Sequence, residues 1–107
     1  MDVMHMERRG TTLYVRLTGE VTMVQVPLPR NNVEEILAMG SFEIVAVDLS
    51  QAGFMDSTGV NFLAMLNNRI REMGKAMHVV SPSEAAMRIL DLTQMSALLT
   101  IVDSDVS

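Results

Sequence analysis

The period of apolar and polar positions changes several times along the chain, and each change marks an element. Leu13, Val15 and Leu17 alternate with Tyr14, Arg16 and Thr18, the two-residue period of a half-buried strand. Residues 3–8 precede it across Arg9-Gly10, a turn pair that predicts a hairpin. Gly19-Glu20 ends this strand. Residues 21–29 hold apolar side chains but also Pro27 and Pro29, which break a helix or a central strand. Helical spacing resumes after Arg30. Asn31 or Asn32 is the expected cap, Glu34 and Glu35 fill the first turn, Val33, Ile36, Leu37 and Met39 are the apolar positions, and Gly40 is the stop.

Residues 43–49 form a short run rich in β-branched side chains, apolar on both faces, which predicts a central strand covered by helices. A long helix is expected from Ser57 or Thr58 to Met73, ended by Gly74. Val60, Leu63, Leu66, Ile70 and Met73 follow steps of three and four and define its core stripe. Asn61, Asn68, Arg71 and Glu72 fall on the far side. Phe62, Met65 and Arg69 lie between these faces, as core margin or as a docking flank. Residues 75–80 predict another strand. Ser81-Pro82-Ser83-Glu84 predicts a helix start with Ser81 as cap, Pro82 at the first helical position and Glu84 closing a capping box. That helix should reach Leu92, with Met87, Ile89 and Leu90 among its apolar positions. Residues 98–102 read as a last strand and 103–107 as a polar tail.

Strand, helix, strand, helix, strand implies parallel, right-handed crossovers. The expected fold is therefore a single α/β domain over 1–107. Its sheet is mixed and mostly parallel, with an N-terminal antiparallel hairpin and helices mainly on one face.

Composition narrows the functions. The chain has 107 residues, 49% of them apolar, enough for one modest core. A net charge of −5 without a basic run argues against a nucleic-acid or anionic-membrane surface. There is no cysteine, and the two histidines, His5 and His78, show no ligand spacing, so no cofactor or metal is expected. No apolar run approaches a membrane span and the N-terminus lacks a signal-peptide core, which makes the cytoplasm the expected location. Eleven methionines suit a pliable core or an adaptable surface.

Catalysis finds little support. The chain lacks a Gly-x-x-x-x-Gly-Lys-Ser/Thr loop, a Gly-x-Gly-x-x-Gly turn and a Gly-x-Ser-x-Gly elbow. Ser57 has no recognisable histidine base. Asp48 and Asp56 bracket a strand end that could host Mg²⁺ in a receiver-like site. Such a site needs a lysine at a later strand end, and Lys75, the one lysine, precedes its strand. The stretch Phe54-Met55-Asp56-Ser57-Thr58-Gly59 remains. Its short oxygens sit where a strand feeds a helix, so Asp56 or Ser57 can act as an N-cap. Alternatively, Ser57 is a phosphoacceptor whose phosphate would face free N–H groups at the positive end of the helix dipole.

Asp48-Leu49-Ser50, a short spacer and then Phe54-Met55-Asp56-Ser57-Thr58-Gly59-Val60 resemble the signature of STAS domains, most closely the bacterial anti-anti-sigma (anti-sigma factor antagonist) branch. The likeness extends over the opening strands, Gly19-Glu20, the strand through Val80 and the helix after Ser81. It implies a non-enzymatic partner-switching module in which Ser57, rather than Thr58, is phosphorylated. The implied partners are a histidine-kinase-like serine kinase that is also an anti-sigma protein, and a serine phosphatase of the PP2C type. Phe54, Met55, Asp56, Ser57, Thr58, Gly59, Phe62, Met65 and Arg69 would form the binding surface, with Phe54, Met55, Phe62 and Met65 as its apolar rim. The expected oligomeric state is a monomer or weak dimer.

Two alternatives are a STAS subunit of a stressosome or lipid-transport complex, and a small nucleotide-binding domain. The intact Asp-Ser-Thr-Gly segment disfavours the lipid-transport type, and the absent phosphate loop disfavours the nucleotide-binding one. The chain departs from the family pattern at Thr22, where many members carry an Asp, and it stops where relatives commonly add a C-terminal helix.

Overall fold

A computed structural model describes residues 4–21, 38 and 42–103. Ala38 is helical, and the rest of the expected helix between Asn31 and Gly40, the proline pair Pro27 and Pro29, Thr22 and the end of the tail lie outside the described residues.

The hairpin forms as its alternation dictates. Strand β1 (Met4–Arg9) pairs antiparallel with β2 (Thr12–Leu17), and Gly10 takes φ +60° in the turn, a conformation open to glycine without a side-chain clash. Leu13, Val15 and Leu17 are fully buried, whereas Arg16 is exposed. Three further strands join in parallel: β4 (Ile44–Asp48), β6 (Ala76–Val80) and β7 (Thr100–Val102), giving the order β1-β2-β4-β6-β7. Val45, Ala46 and Val47 are fully buried, as expected of a central strand with apolar residues on both faces.

Two short strands were not legible in the sequence. After Leu17 the chain turns at Gly19 (φ +73°) and continues as β3 (Gly19–Val21), which pairs in parallel with β5 (Ala52–Met55). Gly19-Glu20 thus closes one strand and opens another. A three-residue and a four-residue strand are too short to show a period, and only their mutual pairing makes them strands. Along the chain β5 lies between β4 and the long helix. Backbone bonds anchor its start: the Gly19 N–H donates to Gln51 O (3.0 Å) and the Ala52 N–H to Leu49 O (3.1 Å).

Helix α1 (Ser57–Glu72) and helix α2 (Glu84–Leu92) pack on the sheet face that carries Val15, Val47 and Val79. On α1 the buried positions are Gly59, Val60, Phe62, Leu63, Leu66, Asn67 and Ile70. At 3.6 residues per turn they span an arc of about 160°, wider than a three–four stripe. Phe62 lies inside that arc and is 1% exposed, so it belongs to the core and not to a docking flank. Met65 and Arg69 fall outside it and are exposed. Met73 is a second correction. It is 41% exposed, because it serves as the C-cap of α1, past the last turn that meets the sheet, before Gly74 (φ +76°) turns the chain away.

The start of α2 also differs from expectation. Ser83, not Ser81, is the N-cap, and its Oγ accepts from the Ala86 N–H (3.1 Å). Ser81 is held by the end of β7: its N–H donates to Val102 O (2.8 Å) and its hydroxyl to Asp103 O, with φ +46°. A residue fixed in that left-handed conformation lacks the extended backbone that an N-cap takes. The final strand begins at Thr100 rather than Leu98, because residues Met95–Ala97 form a single 3₁₀ turn and Leu98, 69% exposed, follows it.

The burial pattern yields a stability test. Phe62→Ala should cost about 3–5 kcal/mol, the usual range for emptying a core aromatic, whereas Met65→Ala should cost under about 1 kcal/mol. Urea unfolding of the two variants checks this ordering.

Candidate functional site

The site begins with the way α1 starts. Asp56 has extended backbone (φ −118°, ψ −171°), and its carboxylate caps the helix. Asp56 Oδ1 accepts from the Thr58 N–H (3.0 Å), the Gly59 N–H (3.2 Å) and the Thr58 hydroxyl (2.5 Å). The Thr58 hydroxyl, followed by the two backbone donors, holds the Asp56 carboxyl below its ordinary range, while partial burial works against them. Of the two cap candidates in the sequence, Asp56 takes the role. Ser57 is left at the first helical position, exposed, and no described residue hydrogen-bonds its hydroxyl.

The two neighbouring hydroxyls are therefore inequivalent. Thr58 is half-buried and its proton points at Asp56, whereas the Ser57 hydroxyl faces outward. The anion-binding capacity of the helix start is smaller than the spacing suggested. Of the N–H groups of residues 57–60, three are occupied: those of Thr58 and Gly59 by the Asp56 side chain and that of Val60 by Asp56 O (3.1 Å). A phosphate on Ser57 would stand beside an ionised carboxylate that already holds the helix donors. It would not be received by a row of free N–H groups.

The surface around Ser57 also differs from the expected rim. Phe54 is 50% and Met65 41% exposed, but Met55 (4%) and Phe62 (1%) are buried and support the surface from beneath. Gly59 is buried in the first turn of α1. Ser57, Asn61, Met65 and Arg69, spaced by four, form one exposed ridge along α1. At its far end Arg69 lies 4.0 Å from Glu72. The apolar spacing alone assigns Asn61 to the far side of the helix, away from this row.

Helix α2 contributes residues that the sequence reading missed. Phe54 and Met55 line a groove of about 170 Å³ together with Ala85, Arg88, Ile89 and Leu92. Leu92 is 74% exposed although it closes the apolar pattern of its helix. An apolar residue in the last turn of a short helix, next to Thr93-Gln94, was the available signal.

The other candidates separate from this cluster. Asp48 accepts from the Ser50 N–H (2.8 Å) and lies 3.5 Å from Arg16, so its carboxylate is engaged on the sheet. Among the described residues no group of three His, Asp or Glu side chains could hold a metal ion. His5 and Asp48 both line a separate groove of about 290 Å³ on the sheet face away from α1 and α2, where Arg9 stacks over Tyr14 (4.7 Å) and pairs with Glu7. No described helix is long and apolar enough to cross a membrane.

The cap has a pH signature. Because the folded state depresses the Asp56 pKa, its ionised form stabilises the fold above the unfolded-state pKa, and that contribution disappears as pH falls through the folded value. Asp56→Asn keeps a capping side chain and removes the charge. The stability difference between wild type and this variant should be present at neutral pH and vanish in acid. Thermal melts across pH 2–7 check it, and a difference that persists unchanged in acid would contradict the assignment. Asp56→Ala, which removes the cap itself, should cost about 0.5–2 kcal/mol at neutral pH.

The STAS domain family matches residues 4–106. The chain is 26% identical over 102 residues to an anti-sigma F factor antagonist of Paenibacillus polymyxa, covering 95% of this chain and 87% of that one. Among solved structures, an anti-sigma factor antagonist from Mycobacterium paratuberculosis superposes with a TM-score of 0.82 at 22% identity, covering 94% of this chain and 85% of that one. The Bacillus cell fate determinant SpoIIAA in its phosphorylated form gives a TM-score of 0.70 at 17% identity, covering 94% and 91%. At such identities the two structures speak for the fold, while the family match spans nearly the whole chain. A mixed sheet, a capped long helix and an Asp-Ser-Thr-Gly start thus accompany a sequence match from Met4 to Val106, and the chain belongs to the STAS domain family.

Proposed function

We propose that this chain is a phosphorylation-controlled protein-binding module of a bacterial partner-switching pathway. In this reading it engages a histidine-kinase-like anti-sigma protein while Ser57 is unmodified and is released once Ser57 is phosphorylated. A PP2C-type serine phosphatase returns it to the binding state. The observation that carries the reading is the Ser57 hydroxyl: exposed, not engaged by any described residue, and next to a threonine whose own hydroxyl is committed to Asp56. Its similarity to anti-sigma factor antagonists, one of them solved in a phosphorylated form, supports the same role.

The switch is electrostatic. The partner would bury the neutral hydroxyl against Phe54, Met65 and the groove that Ile89 and Leu92 line. Transfer of the γ-phosphoryl group of ATP to Ser57 Oγ, with ADP leaving and the hydroxyl proton passing to a base of the kinase, adds about −1.5 to −2 charges. Asp56 already holds the nearest helix donors, so little in this chain offsets the new charge. Its desolvation in a closed, largely apolar interface favours release. Asp56 and Gly59 act in this scheme by holding the helix start in place, while Asn61, Met65 and Arg69 extend the contact along α1.

Incubation with the cognate kinase and ATP should label wild type and Thr58→Ala, and labelling should be nearly lost in Ser57→Ala. Persistent labelling of Ser57→Ala, with loss in Thr58→Ala, would sink the assignment. In calorimetric titrations Ser57→Ala should bind the partner and Ser57→Asp should bind more weakly. Equal affinities of the two folded variants would remove the electrostatic account.

The surface residues have their own test. Met65→Ala, Arg69→Ala and Phe54→Ala should each weaken partner binding by about 1–2 kcal/mol, as contacts short of the strongest hot spots do. Unfolding measured on the same variants separates binding from folding. Unchanged affinity in all three would move the docking surface elsewhere.

A further inference from the structure

At the far end of α1 from Ser57, a pocket of about 330 Å³ opens between the last turns of the helix and the starts of β6 and β7. Asn67, Arg71, Lys75, Met77, Leu98 and Thr100 supply its chemistry. We infer that this pocket binds a small molecule through an oxyanion group, a phosphate or a carboxylate, held by the Asn67 amide and the Arg71 guanidinium.

Asn67 is the observation that points to a ligand. It is 9% exposed, and no described residue hydrogen-bonds its side-chain amide. Burying an amide without a partner costs stability. A leucine there would instead continue the apolar arc of Leu63, Leu66 and Ile70. Asn67 lines the pocket, and an amide whose donors no described residue uses has them to offer an occupant.

The charges select the sign of that occupant. The chain carries a net −5, yet this pocket holds Arg71 and Lys75 and no carboxylate among its described lining residues. Lys75 is fixed: its ammonium donates to Phe42 O and lies 3.8 Å from the Glu43 carboxylate. Arg71, one position past Asn67 in the same i, i+4 row, is exposed and makes no ion pair or side-chain hydrogen bond with a described residue. A cation in the last turn complements the helix dipole, which accounts for an arginine there but not for the buried amide beside it. A planar five-donor guanidinium and an amide donor at helical spacing match the two oxygens of a carboxylate or phosphate. Met77 and Leu98 supply an apolar wall for the remainder of the ligand. The volume lies at the lower end of the range for small-molecule sites, about 300–1,000 Å³. Arg71 lies fourteen residues beyond Ser57, about 21 Å along the axis, so the pocket is separate from the phosphoacceptor and does not rest on it.

The test is a ¹⁵N-resolved NMR titration of the full chain with sodium phosphate and with sodium succinate, against sodium chloride at equal ionic strength. Phosphate or succinate should produce saturable shifts of the Asn67 side-chain NH₂ and of the backbone amides of Lys75 and Thr100. The arm that saturates identifies the source of the oxyanion. Arg71→Gln should weaken that binding about tenfold to a hundredfold, as loss of a charge-assisted hydrogen bond does. Asn67→Leu should abolish it while the melting temperature holds or rises, since the unpartnered amide is gone. Shifts that chloride reproduces, that fail to saturate in both arms, or that concentrate at Ser57–Gly59 would overturn the proposal. So would unchanged affinity in both variants.

Discussion

One carboxylate decides how the junction between β5 and α1 is arranged. Asp56 ends the extended backbone of β5 and takes two N–H groups of α1 on a single oxygen. Without that cap the first turn would hold unpaired donors beside a strand end, and the boundary between strand and helix would be free to slide. With it, the boundary falls between residues 56 and 57. That placement puts Ser57 outward, draws the Thr58 hydroxyl onto Asp56 and starts the buried arc of α1 at Gly59 and Val60. The different exposure and hydrogen bonding of the two hydroxyls follow from one capping geometry.

The cap depends in turn on how β5 is anchored. Leu49 O accepts from the Ala52 and Ser83 N–H groups, and the Leu49 N–H donates to Val80 O. The Ser83 hydroxyl donates to Ala52 O (2.5 Å) while its oxygen caps α2. One serine therefore joins the start of the second helix to the strand that leads into the first. This linkage explains why Phe54 and the apolar side of α2 share a groove although some thirty residues separate them in the chain.

The two ends of α1 treat charge differently. At the N-terminal end three of the first four helix donors are taken up internally, so added negative charge there is poorly compensated. At the C-terminal end Arg71 and Lys75 border a pocket that Asn67 also lines, a buried residue whose amide no described residue hydrogen-bonds. A helix with both features can present a charge-sensitive surface at one end and a separate recognition site at the other without either perturbing the core between them.

Local pattern was sufficient wherever an element is long enough to repeat. The alternation of Leu13, Val15 and Leu17, the doubly apolar run at Val45–Val47 and the steps from Val60 to Ile70 each determine an element and its buried side, because burial acts on every turn or every second residue. The Asp-Ser-Thr-Gly segment likewise carried its own chemistry and the family likeness. Tertiary structure decided what single residues do at the edges of those patterns. Phe62 is core because the sheet covers a wider arc of α1 than a stripe implies, and Met73 is not, because the sheet no longer covers that end of the helix. Ser81 loses the cap to Ser83 because β7 holds its backbone in a left-handed turn. Strands β3 and β5 exist through their mutual pairing, and the groove beside Phe54 through the meeting of β5 with α2. Periodicity reports what one element buries. Which neighbour does the burying, and where its cover stops, is set by contacts distant in sequence.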